Sequence, residues 1–252
     1  MSVVFAAGFL VPQQILGQEY FRGAAAAFPG ALFPRVPPIA DVATRANNLA
    51  REINAAFPAG PIHIVAHSMA GLDARYLLSN NLLGLANTGR VASLSMISTP
   101  NLGSPVADLL AGPQPSPLDP RRIAYDILVH LAAELGQHIG ALGDLTSGFA
   151  RGFNPRNPNV TGVRYYSYAG SGMESFILKP SHLYIDAVGQ TSDEKTNDGL
   201  VSVQSASWTP LAEPSWPTDH LGEVGYNLSA PTLAATFDHV AAYHRILARA
   251  GA

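Results

Sequence analysis

The chain is 252 residues long, with 47% hydrophobic and 13% charged residues, a net charge of −3 and no cysteine. That balance suits one large buried core and excludes a disordered chain; Arg121-Arg122 is the only adjacent basic pair, which argues against nucleic-acid binding. Without cysteine there are no disulfides, thiolate nucleophiles or cysteine-bound metals.

The first apolar run, Val3 to Ala6, reads as a buried strand and leads into Ala7-Gly8-Phe9. It follows Met1 at once, with no basic leader segment, so the expectation is a cytoplasmic protein, or one secreted without a recognisable signal peptide. No apolar run reaches the roughly 20 residues of a membrane span. Asp41 is placed to cap a helix whose apolar positions Val42, Ala46, Leu49, Ile53 and Phe57 recur at helical spacing, ending before Pro58.

The segment Pro61 to Leu72 reads as a buried strand that delivers Ser68 onto a sharp strand-to-helix turn. Ser68 is flanked two residues away by Ala66 and Ala70, so the G-x-S-x-G elbow occurs with both glycines replaced by alanine. Small residues are needed there because the nucleophile sits in a strained backbone conformation and the next helix packs close to the strand. A further buried strand is predicted over Val91 to Ile97, giving a βαβ rhythm.

Residues 112 to 158 open on the proline-rich Gly112-Pro113-Gln114-Pro115-Ser116-Pro117 and continue with Ile123, Ile127, Leu128, Leu131, Leu135, Ile139, Leu142 and Leu145. This is helical insertion material that either completes the core or forms a lid. Val163 to Ala169 is aromatic and β-rich, and Leu233 to Arg249 is expected to close the chain as a helix. The sum is an α/β fold with a mostly parallel central sheet and helices on both faces, one domain over 1–252.

A serine nucleophile needs a base to take its proton and an acid to orient that base, in the chain order Ser, Asp or Glu, His. Asp198, in Thr196-Asn197-Asp198-Gly199, and His220, in Trp216-Pro217-Thr218-Asp219-His220, fit that order from loop positions. Asp193 and Glu194 compete with Asp198, with turn or capping as the alternative role. Of the other histidines, His63 reads as a strand residue, His239 and His244 as terminal-helix residues, and His130 and His138 as part of the insertion. His182 and Asp186, four apart, form only a weak metal pattern. The oxyanion hole is assigned to the backbone N–H groups of Met69 and Phe9.

Together these motifs resemble the true lipases of Pseudomonas, Burkholderia and Proteus type, in the α/β-hydrolase fold, over most of the chain. Ala7-Gly8-Phe9 is similar to their oxyanion loop, and Gln18-Glu19-Tyr20-Phe21 to the Glu-Tyr-Phe that follows it. His67-Ser68-Met69-Ala70-Gly71 resembles their elbow, and Ser98-Thr99-Pro100-Asn101-Leu102-Gly103-Ser104 the segment after their next strand. Asn197-Asp198-Gly199-Leu200-Val201 and His220-Leu221-Gly222-Glu223-Val224 are similar to the segments that hold their acid and histidine. The resemblance implies a helical lid within 112–158, an ester or lipid substrate met at a lipid–water interface, and no cofactor. The lack of cysteine is similar to the disulfide-free branch, which argues against dependence on a dedicated foldase.

Two departures bear on metal. Where these lipases bind a structural calcium through carboxylates, the matching positions here are Lys179 and Gly222, and an ammonium repels the ion, so no metal is expected. The reading is a lipase-like serine carboxylic-ester hydrolase. A short-chain esterase, polyester depolymerase, thioesterase or acyl transferase would use the same triad, and a catalytically dead relative that binds lipid or a partner stands outside enzymology.

Overall fold

In the computed structural model the described residues are 2–8, 14–15, 18–38, 40–119, 121–122, 125–126, 129 and 139–252. Strands β1 (Ser2–Ala6), β4 (Ile62–His67), β5 (Val91–Ile97) and β6 (Arg164–Tyr168) form a parallel sheet in the order β1-β4-β5-β6, while β2 (Gln14–Ile15) and β3 (Gln18–Glu19) make a small antiparallel pair. β1, β4 and β5 are buried almost throughout, as a parallel sheet with helices on both faces requires. Successive side chains alternate accordingly: Val4, Ala6, Ile64 and Ala66 enter one cluster, and Val3, Phe5 and Val65 the other.

Four early helices are α1 (Ala24–Ala27), α2 (Val42–Ala56), α3 (Ala70–Ser79) and α4 (Pro105–Ala111). The predicted α2 is found, its cap set by the Asp41 carboxylate accepting the Thr44 N–H at 2.7 Å. Its Leu49 and Ile53 pack with Leu77 and Leu78 of α3 over one sheet face. The C-terminal helix covers the other through Tyr243, Ile246 and Leu247.

That last helix runs from His239 to Ala250, starting six residues later than the pattern suggests. Asp238 caps it by accepting the Ala241 N–H at 2.9 Å, whereas Leu233 has a φ of 56° and belongs to an irregular loop. Apolar residues of that loop, Leu233 among them, pack on the core without being helical. The insertion divides likewise. Leu142, Leu145 and Phe153, from a 3-10 turn (Ile139–Leu145) and a short helix (Ser147–Phe153), are buried with Met69, Leu72, Leu109 and Leu110, so this end completes the core. Within the expected lid region 112–158, residues 120, 123–124, 127–128 and 130–138 lie outside the described residues. Among the described residues no helix is long and apolar enough to cross a membrane.

Candidate active site

Ser68 leaves the C-terminal end of β4 with φ at 59°, in the left-handed region. A non-glycine residue there costs roughly 1–3 kcal/mol and persists only when its surroundings hold it. They do: the Ser68 N–H donates to the Ile97 carbonyl at 2.9 Å, and the Ser68 carbonyl accepts the Gly71 N–H at 3.1 Å as α3 begins. Ala66 and Ala70 are fully buried in the sheet-to-helix core, so alanine meets the steric demand at both positions. The position that tolerates no side chain is Gly71, where a Cβ would meet Thr99 Oγ1 at 2.0 Å. Gly8 is similarly closed: a Cβ would lie 2.6 Å from Ser68 Cβ and 3.1 Å from its Oγ, so the turn after β1 crosses directly over the serine.

Asp198 and His220 meet as expected. His220 Nδ1 lies 2.7 Å from Asp198 Oδ2, and the other carboxylate oxygen accepts the N–H groups of Leu200 at 2.8 Å and Val201 at 2.7 Å. The two loops are also joined through the backbone, His220 N–H to the Asp198 carbonyl at 2.9 Å. Asp198 is fully buried and His220 3% exposed, so the pair sits out of water where its hydrogen bond counts for more. His220 Nε2, the nitrogen that would face a nucleophile, has no hydrogen-bond partner among the described residues. Asp193 is exposed and Glu194 half-buried in a short helix, where Glu194 completes a capping box with Thr191.

Met69 is buried at the cap of α3, while Phe9 lies outside the described residues. The carbonyl of Ala7, two residues before Phe9, accepts from Arg45 Nη2 at 2.8 Å, and Arg45 is held in turn by Asp73 of α3 at 2.8 Å. Both members of that ion pair are buried; burial pushes the Asp73 carboxyl up to about 7, against the pull of Arg45.

His67, the residue before Ser68, is bonded on both ring nitrogens: Nδ1 to the Tyr20 hydroxyl at 2.7 Å and Nε2 to Glu223 Oε2 at 2.9 Å. Its ring centroid is 4.4 Å from that of His220. Glu223 also accepts from Ser98 Oγ at 2.5 Å, and Ser98 is itself left-handed at φ 42°. Burial, and then the charge of Asp198, raise the Glu223 carboxyl well above the usual range, and burial lowers His67. Tyr20 and Glu223 stand in motifs quoted above, yet no local spacing marks either as part of a site; their placement depends on β1, β4 and the His220 loop converging.

His67, His220 and Glu223 offer ligand atoms within 4.8 Å of one another, the one such group of three among the described residues. Those atoms are already engaged in the hydrogen bonds just described. A calcium site of the kind implied by the resemblance does not fit this chain. Lys179 is exposed with its ammonium over the Phe176 ring, and a Cβ on Gly222 would meet Thr218 Oγ1 at 1.9 Å, so no carboxylate can occupy position 222 unless that neighbour moves. The nearby Asp219 spends its oxygens on backbone N–H groups of Ser175, Leu221 at 3.1 Å and Gly222 at 2.9 Å.

No family model matches the chain. It is 30% identical over 169 residues to triacylglycerol lipase 2 of Saccharomyces cerevisiae, a stretch covering 66% of this chain and 46% of that protein. It is 28% identical over 207 residues to a triacylglycerol lipase of Vibrio cholerae, covering 73% and 64%. The chain thus spans less than two thirds of the length of either relative. Among solved structures, Staphylococcus hyicus lipase superposes with a TM-score of 0.67 at 17% identity, over 99% of this chain and 96% of that one. A metagenomic carboxyl esterase gives 0.70 at 19% identity, over 100% and 75%. The fold is that of the α/β-hydrolases. At such identities the likeness establishes the fold alone; the activity has to be argued from the site.

Proposed function

We propose that this chain is a serine carboxylic-ester hydrolase of lipase type, working through Ser68, His220 and Asp198. The observation that carries this is the buried Asp198–His220 pair at 2.7 Å, its imidazole 4.4 Å from the ring of His67, the residue before a serine held left-handed at the end of β4. The sequence likeness to two proteins named triacylglycerol lipase supports it.

In this reading His220 Nε2 accepts the Ser68 hydroxyl proton as Oγ attacks the ester carbonyl. Asp198 holds Nδ1 and stabilises the imidazolium. The Met69 and Phe9 amides bind the oxyanion of the tetrahedral intermediate. His220 then protonates the departing alcohol, leaving Ser68 acylated, and water enters by the same steps to release the acid. Residues 1–252 act as one catalytic domain, with the helical lid inside 112–158, and the narrower kinship is with the Pseudomonas, Burkholderia and Proteus lipases. No metal and no foldase takes part. An active-site fluorophosphonate should label the folded protein on Ser68, read by mass spectrometry of the labelled peptide; labelling elsewhere, or none with the fold intact, would overturn the assignment.

The alternative of a short-chain esterase shares every catalytic group, and the peak acyl length in a series of p-nitrophenyl esters from C2 to C16 separates the two.

A further inference from the structure

The buried hydrogen bonds behind the triad form a continuous chain between its two halves. At one end is the Tyr20 hydroxyl, 2.7 Å from the ring of His67, the residue that precedes Ser68 at the end of β4. In the middle is His67, bonded to Tyr20 through Nδ1 and to Glu223 through Nε2. At the far end Glu223 lies three residues beyond His220, with its Oε2 3.9 Å from His220 Nδ1 and its backbone carbonyl accepting from the Tyr243 hydroxyl at 2.6 Å. The segment bearing Tyr20 is sewn to the same turn: Arg22 N–H donates to the Val224 carbonyl at 3.1 Å, and the Tyr226 hydroxyl to the Glu19 carbonyl at 2.5 Å.

Such a network is costly to build. Three polar side chains are buried to 6% exposure or less, and Ser98 takes a left-handed backbone to bring its hydroxyl to Glu223. Apolar residues of similar volume would fill the space without those demands. What the network supplies is a fixed distance between parts that come from sequence-distant loops.

We propose that Tyr20, His67 and Glu223 are positioning residues, a single hydrogen-bonded relay that fixes the Ser68 elbow, through His67, relative to the His220 loop. This rests on the serine-hydrolase reading. Its consequence is geometric: the nucleophile's elbow and the general base are held in register by one chain of bonds, so loosening any link lowers turnover more than substrate binding.

The test is a double-mutant cycle with Tyr20→Phe and Glu223→Leu, each confirmed folded by circular dichroism and thermal melting. Each single variant should lose about 10- to 100-fold in kcat with KM within about twofold. Affinity for a boronic acid that mimics the tetrahedral intermediate should weaken in parallel. The double variant should be no worse than the weaker single one, because both cut the same relay. Glu223→Gln, whose amide can donate to His67 Nε2 and accept from Ser98, should stay within about threefold of the parent. Should Glu223→Leu fail to fold, Tyr20→Phe with Glu223→Gln decides by the same split between kcat and KM. Lowered melting temperature with unchanged kcat and boronate affinity, or losses that multiply in the double variant, would overturn the relay. An inactive parent that no fluorophosphonate labels would instead sink the hydrolase reading beneath it.

Discussion

His220 Nδ1 is 2.7 Å from Asp198 Oδ2, and the second oxygen of that carboxylate is fixed by two backbone N–H donors. The carboxylate is thus aimed by its own loop before the imidazole arrives. Asp198→Asn keeps the shape but offers an amide where the ring needs an acceptor, which favours the wrong tautomer. A fall in kcat of about 10³- to 10⁴-fold is expected, with far-ultraviolet circular dichroism unchanged. Turnover within tenfold of the parent would show that Asp198 does not orient the base.

Gly71 is the tightest point of the elbow. Adding one methyl group there should cost roughly 1–3 kcal/mol, because the Cβ would overlap Thr99 Oγ1 and lie 2.8 Å from Thr99 Cβ. Chemical denaturation of Gly71→Ala checks this, and Thr99→Ala in the same chain should restore part of the loss. An unshifted midpoint would mean that α3 has room the geometry denies it.

The Arg45–Asp73 pair links α2 to α3 and, through the Ala7 carbonyl, to the turn above Ser68. Asp73 is raised by burial to about 7 from a usual value near 3.8. The folded state therefore holds more protons than the unfolded one between about pH 4 and 7, and the contribution of this group to stability falls as pH rises across that window. Asp73→Asn should flatten that slope in denaturant melts taken from pH 4.5 to 8. Arg45→Met, which strands the carboxylate without its counter-charge, should cost about 3–5 kcal/mol at pH 8 and less at pH 5. Equal losses at both values would contradict the assignment.

Calcium should leave the melting temperature unmoved, and a chelator likewise, since position 179 carries an ammonium and position 222 has no room for a carboxylate. A calcium-dependent rise that chelation reverses would refute this.

Much of the architecture could be read from the chain because its signals are local. The apolar runs of β1, β4 and β5, the Asp41 cap and the helical spacing of Val42 to Ile53 each depend on neighbours a few residues apart. The pairing of Asp198 with His220 was legible from chain order and loop context, and the two do meet in space. The start of the last helix was not, because Leu233 packs like a helical residue from a left-handed loop, and only the Asp238 carboxylate marks the true beginning. The relay through Tyr20, His67 and Glu223 was hidden for a different reason. Its bonds span 47 and 156 residues, and nothing in the spacing of a tyrosine, a histidine and a glutamate so far apart distinguishes them from ordinary core polar groups.

The most direct measurement is the initial rate of p-nitrophenyl ester hydrolysis for the parent and for Ser68→Ala, matched in fold by circular dichroism. An active parent and a variant slower by several orders of magnitude is the expected result, since the members of a triad act as a unit. Undiminished hydrolysis by the variant would contradict the account at its centre.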